Sequence, residues 1–234
     1  MVLVCQNVAL GAERLSKQLG LRIKTIYLDP WYGGKETGPR LSQVKRGKDV
    51  TLELAQKMKG LLEAQGYMVY LSRSGDEFVP LEMRGAQARM KQSDIHLIIK
   101  ISETKKDCIS IYTEPRSTKK RTENTTTSND PSKGLGQILD TLAADSKHEE
   151  SLTLAGTISK RLNEGDISDC IQLLRSFDYV LLNAAMPAVS VDFGVSPTSK
   201  KQPYILDSNY QNSVSNLLSD AIKEYADDRA PKMN

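Results

Sequence analysis

The residues best suited to chemistry lie in the stretch Tyr27–Lys35, which reads Tyr-Leu-Asp-Pro-Trp-Tyr-Gly-Gly-Lys. A short apolar run from Ile23 to Leu28 is typical of a strand and ends at Asp29. Gly33-Gly34 then allow a sharp turn, because glycine adopts positive φ angles without a Cβ clash. Ligands of α/β folds gather at the carboxyl ends of strands, so the sequence predicts a functional site at this loop.

Helices and strands alternate along the chain, which predicts an α/β domain with a largely parallel or mixed sheet. Strands are predicted at Ile23–Leu28, Tyr67–Leu71, Ile95–Ile101, Cys108–Tyr112, Tyr179–Leu182 and Ala188–Val191. Helices are predicted at Asn7–Gly20, Asp49–Gln65, Pro80–Gln92, Ile138–Ala144, Glu149–Asn163 and Tyr210–Ala226. Residues 1–22 are predicted to form a lead-in helix or a linker from an upstream domain, residues 23–226 one domain, and residues 227–234 a tail.

Composition limits the classes of function. The 234 residues carry a net charge of only +3, which gives nucleic-acid binding little support. No apolar run is long enough for a transmembrane helix, and the N-terminus lacks the features of a signal peptide. As written the chain is expected to be cytoplasmic, whereas an export signal upstream of Met1 would place it in the periplasm or cell envelope.

The three cysteines, Cys5, Cys108 and Cys170, have neither zinc-cluster spacing nor an even count. Free thiols are therefore expected, in weak agreement with a reducing compartment. A different compositional signal comes from Pro115 to Lys133, where Ser, Thr, Asn, Lys and Pro dominate and apolar residues are absent. This stretch is predicted to be a mobile polar loop. Its basic residues would give weak, salt-sensitive attraction to anionic polymers.

Several motifs, taken in order, resemble the zinc-dependent N-acetylmuramoyl-L-alanine amidases. They are Leu28–Lys35, Lys48–Leu52, Gly66–Arg73, Leu81–Arg84, Asp94–Ile101 and Pro187–Gly194. Further stretches at Ile138–Leu142, Ser151–Ala155 and Asp178–Leu182 are similar to the cell-separation branch of that family. The agreement extends from about Leu19 to Tyr225.

The resemblance implies a single three-layer domain with about six strands flanked by helices. It also implies cleavage of the bond between muramic acid and L-alanine in peptidoglycan. In the family, two His and one Glu hold zinc, which leaves a position open for water, and a second Glu acts as general base. A regulatory segment inserted near the position of Pro115–Lys133 can block the site until a partner protein removes it.

All four chemical positions depart from the family pattern. Tyr32 and Lys100 stand where the two His ligands are expected, Gly47 where the Glu ligand is expected, and Asp192 at the position of the catalytic Glu. Tyrosinate is a rare ligand, glycine has no side chain, and lysine would have to lose its proton near neutral pH. No zinc or other cofactor is therefore expected, and the site reads as inactivated.

The remaining histidines do not replace the missing ligands. His96 and Lys100 lie four residues apart on one strand, which separates them by roughly 13 Å. His148 lies in a polar segment beside Lys147 and Glu149. Solvent-exposed or internally satisfied roles are expected for both histidines.

The altered positions suggest new contacts. An ammonium group at Lys100 would compensate the charge of Asp192, so an ion pair, or a network shared with Tyr32, is predicted. A solvent-facing Lys100 is the alternative. Trp31 and Tyr32 are expected to fill the space of the lost metal, or else to stack on a sugar or on a side chain of a partner.

Three functions remain open. The first is a non-catalytic binding or regulatory module that recognises peptidoglycan fragments or a cell-division or cell-wall regulatory protein. The second is an active amidase with a rebuilt metal site. The third is a cytoplasmic protein-interaction scaffold.

Overall fold

The computed structural model describes residues 22–116, 131–197 and 203–230, with only the backbone given for residues 131–138. Its centre is one six-stranded sheet in the order β2-β1-β3-β6-β4-β5. The strands are β1 (Thr25–Pro30), β2 (Met68–Leu71), β3 (Ile95–Glu103), β4 (Cys108–Thr113), β5 (Ile171–Arg175) and β6 (Ala188–Val195). Neighbouring strands run parallel except for β4 and β6, which pair antiparallel. The predicted three-layer α/β fold with a mixed sheet is confirmed.

Helices cover both faces of this sheet. In the described part of the chain they are α1 (Gly47–Ala64), α2 (Leu81–Met90), α3 (Pro131–Glu164), α4 (Tyr179–Asn183), α5 (Ser208–Asp227) and a 3₁₀ turn at Tyr204–Leu206. Helices α1, α3 and α5 bury the larger apolar core against one face. The short helices α2 and α4 cover a smaller core on the other face, where most of the buried polar residues discussed below lie. No described helix is both long and apolar enough to cross a membrane.

Buried apolar runs explain why these strands form. The side chains of Ile95, Leu97, Ile99 and Ile101 are fully buried on the face of the larger core, whereas His96 and Ile98 are buried on the other face. A strand covered on both sides needs such a continuous run. The predicted helix at Asp49–Gln65 is also confirmed, since α1 buries Val50, Leu54, Met58 and Leu62 at helical spacing.

Three predicted elements differ from the structure, and one strand was not predicted. Residues 138–144 and 149–163 belong to one helix, α3, because no Gly or Pro interrupts the polar segment between them. The predicted strand Tyr179–Leu182 is the helix α4, whose N-cap Asp178 accepts a hydrogen bond from the Val180 amide at 2.9 Å. Strand β5 was not predicted, because its side chains are mostly exposed and give no core signal.

The polar stretch is only partly described. Helix α3 begins at Pro131, so the last three residues of the predicted loop are helical, with proline at the favoured first position. The rest of the loop, from residue 117 to residue 130, lies outside the described residues, and so does the predicted helix Asn7–Gly20.

Two of the three cysteines form a disulfide, contrary to the expected free thiols. Cys108, the first residue of β4, is bonded to Cys170, the residue before β5, and their Cα atoms are 4.7 Å apart. The two cysteines are 62 positions apart in the sequence, so spacing gave no sign of the bond. Strand pairing brings them together, since the Ile109 amide donates to the Cys170 carbonyl at 2.8 Å.

Candidate functional site

The loop after β1 is held by a buried arginine. Arg73, just beyond β2, donates through its guanidinium to the backbone oxygens of Pro30 (3.0 Å), Gly75 (2.7 Å) and Lys48 (2.7 Å). These acceptors lie at the end of β1, after β2 and in the first turn of α1. One side chain therefore fixes the three segments that surround the predicted site.

Glycine is required where this loop turns. Gly33 has φ of +131°, and a Cβ there would overlap the carbonyl oxygen of Glu77. The neighbouring Gly34 has φ of +54° and donates its amide to the carboxylate of Asp76 at 2.8 Å. The two glycines thus allow the loop to pass close to the segment after β2.

The side chain of Tyr32 lies against the carboxyl-terminal part of β3. Its φ of +70° is unusual for a residue with a side chain, and its hydroxyl donates to the Ile101 carbonyl at 2.9 Å. The ring lies against Gly38, where an added Cβ would come within 2.7 Å of ring carbons. Burial raises the pKa of the Tyr32 phenol, and the nearby carboxylate of Asp192 raises it further.

Gly47, at the start of α1, has no room for a side chain. A Cβ there would lie 2.7 Å from Cδ of Pro39, and the Gly47 amide donates to the Pro39 carbonyl at 2.8 Å. The segment of Gly38 and Pro39 therefore lies against both Gly47 and the ring of Tyr32. A carboxylate at position 47 would require this segment to move.

Lys100 does not form the predicted ion pair with Asp192. The two residues are neighbours in the register of β3 and β6, yet the ammonium of Lys100 pairs with Asp178 at 3.3 Å. The same ammonium lies 4.2 Å from the centroid of the Trp31 ring. Capping of α4 holds the carboxylate of Asp178 in place beside Lys100, whereas the carboxylate of Asp192 accepts a hydrogen bond from Ser102.

The Trp31 ring is in contact with two cations. Besides the ammonium of Lys100, the guanidinium of Arg84 lies 4.4 Å from the ring centroid. Each such contact contributes roughly 0.5–2 kcal/mol, depending on how far water is excluded. The partly buried indole is therefore engaged within the protein, which favours the predicted filling role over stacking on a ligand.

Asp192 is a buried carboxylate with one hydrogen-bond partner. Ser102 donates to its Oδ2 at 2.7 Å, and Oδ1 is buried without a partner among the described residues. Burial raises the pKa of the Asp192 carboxyl, while the hydrogen bond from Ser102 and the charge of Lys100 partly oppose the rise. Tyr32 lies close enough to Ser102 and Asp192 for both to affect its pKa, yet its hydroxyl donates to the Ile101 carbonyl. Lys100 is paired with Asp178, so the predicted network shared by Lys100, Asp192 and Tyr32 is not formed.

We expect Asp192→Asn to stabilise the protein at neutral pH, because it removes a poorly compensated buried charge and keeps an acceptor for Ser102. The folded-state pKa of Asp192 lies above its ordinary value of 3.8. The contribution of this group to stability therefore falls as pH rises from 3.8 through the folded-state pKa. Urea unfolding at pH 7 should show a gain of roughly 0.5–1.5 kcal/mol, and the gain should vanish below about pH 3.8. Asp178→Asn, which removes the partner of Lys100, serves as the control and should give no gain. Equal stability of wild type and Asp192→Asn at pH 7 would contradict the conclusion that Asp192 is a poorly compensated buried charge.

Sequence reasoning missed a buried polar network beneath the loop. Asp29 is fully buried; it forms an ion pair with Arg84, accepts from Ser72 Oγ at 2.6 Å and lies 3.6 Å from His96 Nε2. Burial would raise the pKa of Asp29, yet His96, Arg84 and Ser72 together hold that pKa below its usual value. The signal in the sequence was Asp29 at the end of an apolar strand, which requires a buried partner.

The histidines do not lie at the loop. His96 is fully buried 3.6 Å from the carboxylate of Asp29, which excludes the exposed role. Neither ring nitrogen of His96 has a hydrogen-bond partner among the described residues, so the satisfied role is not confirmed. His148 is also buried, within α3, although its sequence neighbours are polar. In the described ranges no group of three His, Cys, Asp or Glu side chains is close enough to hold a metal.

A sequence profile described as N-acetylmuramoyl-L-alanine amidase matches residues 26–224. The chain belongs to this family. It is similar to the amidase AmiC of Escherichia coli, with 39% identity over 75 residues, which are 32% of this chain but only 18% of AmiC. The chain therefore matches less than a fifth of the length of this curated relative.

Solved amidase structures have the same fold. The catalytic domain of the amidase CwlV from Bacillus (Paenibacillus) polymyxa superposes with a TM-score of 0.68 and 20% identity, covering 88% of this chain and 99% of that one. The amidase CwlD of Clostridioides difficile, solved in complex with the lipoprotein GerS, gives a TM-score of 0.62 and 17% identity, covering 86% and 98%. The shared fold extends over almost all of this amidase-family domain.

Proposed function

We propose that this amidase-family domain is a non-catalytic module that binds peptidoglycan fragments or a regulatory protein of the cell wall. The observation that carries the proposal is the closure of the metal positions by internal contacts. Gly47 lies against Pro39, the hydroxyl of Tyr32 donates to a backbone carbonyl, and Lys100 is paired with Asp178.

The residues at these positions do not fit a zinc ion. Zinc in proteins is bound by thiolate, imidazole or carboxylate groups, commonly by three or four of them around one centre. Of the four positions only Asp192 offers such a group, and its Oδ2 already accepts from Ser102. The protonated ammonium of Lys100 would repel a dication, and Gly47 offers no donor. Zinc-dependent hydrolysis is therefore not part of the proposed function of this domain.

Location outside the cytoplasm is the second part of the proposal. Structural disulfides persist in oxidising compartments and are rare in the cytosol. The bond between Cys108 and Cys170 therefore favours an exported protein over the cytoplasmic scaffold. Peptidoglycan and its regulators would be accessible there, and the CwlD relative was solved with a lipoprotein bound.

Zinc content and hydrolysis test the loss of catalysis. Purified protein should contain far less than one zinc per chain, and isolated peptidoglycan should release no stem peptides in its presence. Stoichiometric zinc in the wild type, removable by a chelator with loss of cleavage, would establish the active amidase with a rebuilt site instead.

Co-sedimentation with purified peptidoglycan tests the binding role. Wild type should sediment with peptidoglycan, and Lys100→Glu should do so at least about tenfold less well, since it reverses a charge beside Trp31 and repels Asp178. Lys223→Glu on α5, remote from the loop, is the matched control and should bind like wild type. If the wild type does not sediment with peptidoglycan, a protein partner becomes the better candidate.

A further inference from the structure

Strand β5 is an edge strand of the described sheet, and one side of its backbone has no partner among the described residues. The Ile109 amide donates to Cys170, and the Ser176 amide donates to Thr113 at 2.9 Å, so even-numbered residues of this stretch face β4. The amides and carbonyls of Ile171, Leu173 and Arg175 consequently point away from the sheet. No described strand pairs with that side.

The opposite edge of the sheet is protected. On β2, the ammonium of Lys59 donates to the Val69 carbonyl at 2.9 Å, and the ammonium of Lys91 lies 4.7 Å from the Tyr70 ring centroid. Lysines placed in this way prevent edge strands from pairing with other chains. The first four residues of β5, Ile-Gln-Leu-Leu, contain neither a charge nor a proline.

Apolar side chains are exposed at the unprotected edge. Leu173 is 55% exposed and Leu174 is 38% exposed, and Phe177, two residues beyond the strand, is 81% exposed. Hydrophobic edge strands of this kind are sites of association. The disulfide at Cys170 holds the start of β5 against β4, which keeps the edge in one conformation before a partner arrives.

We propose that β5 pairs antiparallel with β5 of a second copy of this chain, about a two-fold axis at Leu173. In this register Leu173 lies opposite its own copy, and Ile171 lies opposite Arg175 of the second copy. All three outward residues then fall in hydrogen-bonded pairs, which gives about six backbone hydrogen bonds. The two sheets become continuous, and the interface is closed and self-complementary.

Charge also fits this register. Arg175 is exposed at one end of β5, and exposed Asp169 lies two residues before the other end. The antiparallel arrangement brings Arg175 of each copy to the start of the other copy's strand, where Asp169 carries a carboxylate. Opposite charges on diagonal positions favour strand pairing.

Analytical ultracentrifugation of the oxidised full chain tests the dimer. Wild type at micromolar concentration should sediment with twice the chain mass of 26.0 kDa. Leu173→Lys places two ammonium groups opposite each other on the axis and should weaken dimerisation at least about tenfold. Met68→Lys on the other edge is the control, since Met68 is 56% exposed, and it should leave the dimer intact. A monomeric wild type, or a Leu173→Lys variant that remains dimeric, would overturn the proposal.

A charge exchange tests the register. Arg175→Glu alone brings two carboxylates together at each end of the interface and should weaken the dimer about tenfold. The double variant Asp169→Arg/Arg175→Glu restores opposite charges and should recover most of the loss. Failure of the second change to rescue the first would exclude this register. The result is independent of zinc content and peptidoglycan binding, so it does not depend on the function proposed above.

Discussion

Arg84→Met is expected to lower the free energy of unfolding by about 3–5 kcal/mol, because it leaves the charge of Asp29 buried without its ion-pair partner. The side chain of Arg84 is 1% exposed, and the carboxylate of Asp29 is fully buried. Methionine has a similar length, so loss of packing volume contributes little to the change. Urea unfolding at pH 7, followed by circular dichroism, measures the effect.

A matched control and a double variant separate charge from packing. Arg89→Met removes an exposed arginine from the same helix and should change stability by no more than about 0.5 kcal/mol. Asp29→Asn/Arg84→Met removes both charges and should recover a large part of the loss, since neither charge is then left unpaired. If Arg84→Met costs no more than Arg89→Met, the ion pair does not stabilise the fold.

The same ion pair connects stability to the candidate site. Arg84 also contacts the ring of Trp31, and Trp31 contacts Lys100. The loop after β1 is therefore packed against the buried pair of Asp29 and Arg84. Arg84→Met should therefore also loosen the Trp31 loop. Hydrogen exchange of the Trp31 amide, which donates to the Ile99 carbonyl at 2.9 Å, would report that loosening directly.

Most of the fold could be predicted from periodicity. The apolar residues of β3 form an almost continuous run, which fits a strand covered on both faces, and those of α1 recur at helical spacing. Both elements lie close to their predicted positions. Periodicity did not predict the elements that are weakly buried or whose structure is determined by a helix cap. Strand β5 is exposed and carries no alternation, and Asp178 converts an apolar run into the helix α4.

The site could be predicted in position but not in its contacts. The predicted strands placed Tyr32, Lys100 and Asp192 near the carboxyl ends of neighbouring strands, and in the structure they lie there. The partner of Lys100 could not be predicted, because Asp178 lies 78 residues away and reaches the site only through the packing of α4. The sequence likewise gave no reason to expect Pro39 against Gly47, a contact that depends on the course of a loop.

Removal of the disulfide is expected to have the second large effect. The variant Cys108→Ala/Cys170→Ala should lose about 4 kcal/mol, because the bond closes a loop of 62 residues in the unfolded chain. For a protein of this size that corresponds to a fall of roughly 8–16 °C in melting temperature. Both proteins should carry Cys5→Ser, so that the third thiol does not exchange with the bond.

Reduction provides the control. Dithiothreitol should lower the melting temperature of the parent protein to that of the double variant and leave the variant itself unchanged. Without reductant, the native parent with Cys5→Ser should show no free thiol after denaturation. Two free thiols would contradict the disulfide, and with it the argument for an oxidising compartment. The bond also anchors the start of β5, so reduction should weaken the proposed dimer, whereas a dimer that used another surface would be unaffected.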